Sequence, residues 1–229
     1  MLRFLPFLLI IGYGFVVWHF SARRLARELD ERSTPLNDPA LTPVLLQLAL
    51  ALGHQRLPVY VYEVAPINGL AAPDGRVFLT RGFLNAFKAG QVSADELASV
   101  IAHELGHVSL GHSRRRMIDF NGQNALRVIL SGILGRFLPG IGVWLAQLLT
   151  SALAARLSRR DEFEADEFAS ALMIKAGFGT APQIRLFEKL PALTGGSGSV
   201  PAWLMSHPET GARIAAIRKN EARWTGAEG

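Results

Sequence analysis

The sequence predicts an α+β domain, mainly helical with a small β-sheet, carried behind an N-terminal transmembrane helix. Three observations predict it. Stretches near 40–52, 93–108, 158–177 and 209–221 read as helices. β-rich runs are confined to Val59–Val64 and Arg76–Thr80. Phe4–Phe20 is an uncharged apolar run, at the short limit of a membrane span of about 20 residues. The chain thus divides into a membrane anchor with its basic flank, 1–32, and one domain, 33–229, of a size that buries its own core.

The elements follow in order. A cleaved signal peptide fits Phe4–Phe20 less well than an anchor, because Phe20 falls at the −3 position for a cut after Ala22. With no cysteine in the chain, neither a lipid-modified Cys nor a disulfide framework is available. Arg23, Arg24 and Arg27 outnumber Arg3 across the span, which places a single-pass anchor in the cell membrane with the domain on the cytoplasmic side. Ser33–Asp38 is a polar, proline-bearing link. The two β-rich runs, the second after a turn at Pro73-Asp74-Gly75, make a small sheet whose exposed edge can hold an extended peptide by backbone hydrogen bonds.

Ser93-Ala94-Asp95-Glu96 is a capping box that opens a helix, with Leu97, Val100, Ile101, Leu105 and Val108 at helical spacing. Inside it, residues 103–107 read His-Glu-Leu-Gly-His, an H-E-x-x-H segment. Residues four apart share one helix face, so His103 and His107 can bind one metal ion, with Glu104 beside them to take a proton from a water that the metal activates. Gly106 has no capping role there and is expected where another backbone comes close. Leu110 and Ser113 stand where the metzincin pattern requires Gly and His, which excludes that class.

A third ligand has to come from elsewhere. Ser158–Phe168 is expected to open a second helix, with Glu162 and Asp166 on one face. Glu162 completes a His, His, Glu zinc set with one position open, and Asp166 can accept a hydrogen bond from the other nitrogen of a ligating histidine. The competing reading is an acidic first turn that only complements the helix dipole. Phe137–Ala155 between the motifs carries no charge. One crossing there would leave His103 and Glu162 on opposite sides of a bilayer, and two crossings need about 40 apolar residues. Residues 125–157 are therefore expected as an apolar hairpin, buried or membrane-dipping. Gly195–Ser199 reads as a flexible loop and a candidate lid. By itself His207 is a loop histidine before a proline, and Arg213 a surface helix charge.

At this point the chain resembles the HtpX-like and CAAX-prenyl-protease-type zinc metalloendopeptidases, a branch of the gluzincins. Their zinc helix is matched by His103–His107, and their Ser-Arg-x-x-Glu-Phe/Tyr-x-Ala-Asp signature by Ser158–Asp166. Their His-Pro and Arg-Ile pairs are matched at His207-Pro208 and Arg213-Ile214, and their upstream strand by Asn68–Pro73 with departures at Gly69 and Leu70. The resemblance implies a zincin-like metallopeptidase domain, one Zn2+ held by His103, His107 and Glu162, and Glu104 as general base. It also implies that His207 and Arg213 face the metal and stabilise developing charge. Substrates would be proteins or peptides, misfolded or membrane-associated. The alternatives are a catalytically silent membrane chaperone that binds exposed peptides, against which the intact Glu104 counts, and zinc hydrolysis of a non-peptide bond.

The net charge of +5 gathers near Arg23–Arg27, Arg114–Arg116 and Arg156–Arg160, which suits anionic lipid headgroups and makes the bilayer an expected partner. No aromatic stacking motif or groove-reading helix accompanies these arginines, so nucleic acid is not expected.

Overall fold

The computed structural model describes residues 20, 23, 24, 26–72, 74–193, 203, 205, 207 and 210–226, and the side chains of all these except 113–125 and 210. The expected membrane span at 4–19 and the loop at 195–199 lie outside them. Two compact units emerge, one formed by 31–110 with 161–229 and the other by 1–30 with 111–160.

The first unit is built on a four-stranded sheet in the order β1-β2-β4-β3. Strand β1 is Ser33–Pro35, β2 Val59–Tyr62, β3 Gly69–Ala71 and β4 Val77–Thr80. β4 reads Val-Phe-Leu-Thr and is buried along its whole length, as a central strand covered on both faces should be. It pairs parallel with β2 and antiparallel with β3, which forms one edge of the sheet. The link expected at Ser33–Asp38 differs: its first three residues pair antiparallel with β2 as the other edge strand. An edge tolerates Pro35, since only one side of the strand is hydrogen-bonded.

Helix α1 spans Thr42–Ala51, α2 Arg81–Lys88 and α3 Ala94–Ser109. α2 starts directly from β4, with Thr80 as its N-cap accepting from the Phe83 N–H. α3 begins at the expected capping box, where the Ser93 N–H donates to Glu96 Oε2 at 2.9 Å. Leu97, Val100 and Ile101 then enter a core shared with Phe83, Met173 and Leu190. Within this unit helix α5 (Gly142–Lys175) contributes 161–175, followed by α6 (Ala181–Lys189), a 3-10 turn (Leu190–Ala192) and α7 (Thr210–Thr225). Gly177, at φ +86°, ends α5, and the Phe178 N–H returns to the Met173 carbonyl at 2.9 Å.

Where α3 meets α5, a Cβ on Gly106 would lie 3.0 Å from both the Cα and the carbonyl oxygen of Ala165. The glycine costs about 1 kcal/mol of helix propensity and lets two backbones that carry site residues come together.

In the second unit α4 (His112–Phe137) and the first part of α5 are joined by a short turn containing Gly140 at φ +87°. α5 runs unbroken over Gly142–Lys175, so the helix expected to open at Ser158 in fact starts sixteen residues earlier. Burial within the protein, one of two expectations for 125–157, is not what its large side chains show. Phe137, Ile141, Val143 and Trp144 are exposed, while Gly142, Ala146 and Thr150 are buried. Among the described residues no helix is long and apolar enough to cross a membrane.

Candidate metal centre

All seven residues singled out in the sequence lie in the first unit, come together, and are buried. α3 presents His103, Glu104 and His107 on its core-facing side. α5 presents Glu162 and Asp166 one turn apart, in the middle of a long helix. That position removes the helix-dipole explanation of these carboxylates, because the macrodipole acts within the first turn. His207 comes from just before α7 and Arg213 from its first turn, tied by an Arg213 Nη1 hydrogen bond to the His207 carbonyl at 3.0 Å.

Four donors converge: one atom each from His103, His107, Glu162 and His207, all within 4.8 Å of one another. His103 Nε2 lies 3.1 Å from His107 Nε2, 3.3 Å from His207 Nδ1 and 3.4 Å from Glu162 Oε2. His107 Nε2 is 3.5 Å from Glu162 Oε1, and His207 Nδ1 is 2.6 Å from Glu162 Oε2. Donors arranged tetrahedrally at zinc bond lengths of about 2.0–2.1 Å stand about 3.3 Å apart, so most of these separations fit the ion. Glu104 lies at the edge of the set, its Oε1 3.6 Å from His207 Nε2. That oxygen is buried and has no hydrogen-bond partner among the described residues. An acceptor left unbonded beside a metal site costs about 1–3 kcal/mol and is suited to a proton that arrives with a ligand.

Behind the donors lies a second layer. Asp166 Oδ1 is 3.0 Å from His103 Nδ1, and the Arg213 guanidinium grips the same carboxylate through Nε to Oδ2 at 2.6 Å and Nη2 to Oδ1 at 2.8 Å. With the Nδ1 proton directed at Asp166, His103 Nε2 is left with its lone pair toward the metal position. The family resemblance points Arg213 at the metal. In the structure its Nε and Nη2 are bonded to Asp166, while Nη1 lies 3.4 Å from Glu162 Oε2 and Nη2 3.4 Å from His103 Nδ1. It also rests against two rings that pack on each other, its central carbon 4.6 Å from the Phe187 ring and 5.1 Å from that of Trp203.

Burial opposes charge on each of these groups, and their partners decide the outcome. For His103 the hydrogen bonds to Asp166 and Glu162 outweigh desolvation and raise its pKa to about 9. Desolvation would raise Glu162, but His103 and His207 overcome it and hold the carboxyl well below its usual range. Asp166 is likewise lowered, by Arg213, against its own burial. The shifts of His103 and Glu162 reflect their mutual pairing, and that of Asp166 its pairing with Arg213.

Four neighbours escaped the sequence reading. Gln183 Nε2 donates to Asp166 Oδ1 at 3.3 Å, and the Ser170 hydroxyl lies 2.9 Å from Gln183 Oε1. Trp203 places its ring 5.6 Å from that of His103 and 4.9 Å from that of His207, and Phe187 packs on Trp203. Ser170 stands four residues after Asp166 on the same helix face, a signal that was legible. The other three belong to segments whose approach to α5 no local pattern announces.

Comparison with known proteins decides the family: the model of Peptidase family M48 matches residues 35–221. The chain belongs to that family. It is 32% identical over 178 residues to Metalloprotease YcaL of Escherichia coli, covering 76% of this chain and 67% of that one. Metalloprotease LoiP of the same organism is 29% identical, over 84% of this chain and 75% of its own length. Protease HtpX of Pseudomonas putida is 28% identical, with 94% and 85% covered. The protein is thus an HtpX-like zinc-dependent metalloendopeptidase, and zinc is its cofactor.

Proposed function

We propose that this peptidase is held at the cell membrane by Phe4–Phe20, with its catalytic domain on the cytoplasmic side, and that it cuts misfolded or membrane-associated proteins. The observation that carries the catalytic part is the buried donor set with the unbonded Glu104 oxygen at its edge. His103, His107 and Glu162 hold the zinc, with His103 oriented by Asp166. When bound, zinc supplies Lewis acidity that polarises a carbonyl and lets water give up a proton near neutral pH. Glu104 accepts that proton and returns it to the leaving amine. Catalytic zinc sites use three protein donors. With His103, His107 and Glu162 as the three protein donors, His207 would stand beside them with its ring toward the charge that develops on the carbonyl oxygen. Arg213 acts as a positioning residue that fixes Asp166 and carries His207 through its carbonyl.

The substrate lies along β3. This edge strand crosses α3 so closely that a Cβ on Gly69 would sit 2.7 Å from Val100 Cγ1 and 3.4 Å from Glu104 Oε1. Backbone pairing to such an edge is tolerant of sequence, which suits an enzyme for unfolded chains. The test uses the detergent-solubilised full chain with unfolded casein. Fragments should form, cease after a chelator is added, and return with zinc. Binding of casein without any cleavage under zinc-replete conditions would favour the silent chaperone.

A further inference from the structure

The pair formed by α4 and the first part of α5 is built the wrong way round for water. In a helix pair stabilised in water, large apolar side chains face inward and small or polar ones outward. Here Phe137 is 74% exposed, Trp144 67% and Val128 62%, with Ile141, Val143 and Leu148 also exposed. The buried positions on this part of α5 are instead Gly142, Ala146 and Thr150, small residues spaced four apart. Thr150 satisfies its own hydroxyl by bonding the Ala146 carbonyl at 2.9 Å. Small residues inside and large apolar residues outside is the pattern of helices whose solvent is lipid.

Charge selects the occupant. From Phe120 to Ser158 the chain contains Arg127, Arg136 and Arg156 and no acidic residue. A second copy docked on the same face would set arginine against arginine. Anionic lipid headgroups meet both features at once, with phosphates for the guanidinium groups and acyl chains for the exposed rings. Arg136 sets the depth. It adjoins Phe137 at the turn, with Arg127 two and a half helical turns before it, so a pair standing upright in the bilayer would carry at least one of the two into the hydrocarbon, whereas a pair lying flat leaves both among the headgroups.

We propose that the α4–α5 pair lies in the headgroup–acyl boundary of an anionic membrane without crossing it, as a lipid contact distinct from the N-terminal anchor. The proposal depends neither on the peptidase reading nor on that anchor.

The absence of cysteine makes the test clean. Phe137→Cys, Trp144→Cys and, as a control, Lys219→Cys on α7 each carry one environment-sensitive fluorophore, on the full chain reconstituted into phosphatidylglycerol–phosphatidylcholine vesicles. Leu9→Cys reports the anchor separately. Labels at 137 and 144 should shift to the blue and lose intensity to a quencher placed near the top of the acyl chain, more than to one near its end. The label at 219 should respond only to aqueous iodide. Phosphatidylcholine alone should weaken the lipid quenching at 137 and 144. Three results would overturn the proposal: iodide quenching at 137 and 144 equal to that at 219, shielding from iodide and lipid quenchers alike, as a protein partner would give, or strongest quenching at the bilayer midplane. Because Leu9 is read independently, loss of the anchor signal alone leaves the proposal standing.

Discussion

The metal centre and the α4–α5 pair are opposites. In one, seven ionisable side chains are buried, and in the other large apolar side chains face outward. Each would be a liability without its partner. Buried charge is tolerable at the metal centre because it is answered in pairs, Asp166 by Arg213 and Glu162 by the histidines, with a dication to complete the set. Exposed apolar surface at the pair finds its answer outside the protein. Residues at the metal centre should therefore be intolerant of substitution in any medium, while those at the pair should be tolerant in detergent.

The largest effect is expected at the second layer. Asp166→Ala leaves Arg213 buried without its carboxylate, which should cost about 3–5 kcal/mol in thermal melting and weaken zinc binding by about 10–100-fold. A stable, zinc-tight variant would show that the layer is ornamental. Next comes His207→Ala, which leaves three donors. Zinc content should stay at one per chain while the casein cleavage rate falls by about 100-fold. A faster variant would recast His207 as a restraint on the site. Gly69→Ala should cost about 1–3 kcal/mol by forcing Val100 aside, read as a lower melting temperature. Smallest is Phe137→Ser, which should change stability in detergent by no more than about 0.5 kcal/mol. A large loss there would mean that Phe137 packs inside the protein and would erase the contrast.

The same contrast explains how much was legible in the sequence. Three of the four donors were, because H-E-x-x-H and the Glu162/Asp166 pair are local patterns that a helix turns directly into geometry; His207, alone a loop histidine before a proline, entered only through the family resemblance. The zinc helix was legible from its capping box, and the close approach at Gly106 from a glycine with no capping role. β1 was not, since Ser-Thr-Pro has little strand preference of its own and is held by pairing with β2. The start of α5 was misplaced because Ser158 and the acidic run after it mimic a helix N-terminus in what is an unbroken helix. Trp203, Phe187 and Gln183 were invisible, since their contacts with Arg213 and Asp166 arise only once α6 and the segment before α7 fold back on α5. Local chemistry is written in short patterns, whereas the groups that orient it are assembled by tertiary packing.

The measurement that bears most directly on the account compares wild type with Glu104→Gln, with zinc counted and casein cleavage followed in the same preparations. One zinc per chain is expected in both, with a rate lower by about 100-fold or more in the variant, since only the proton acceptor is removed. Cleavage by Glu104→Gln at the wild-type rate, or a folded wild type that holds no zinc, would contradict this expectation.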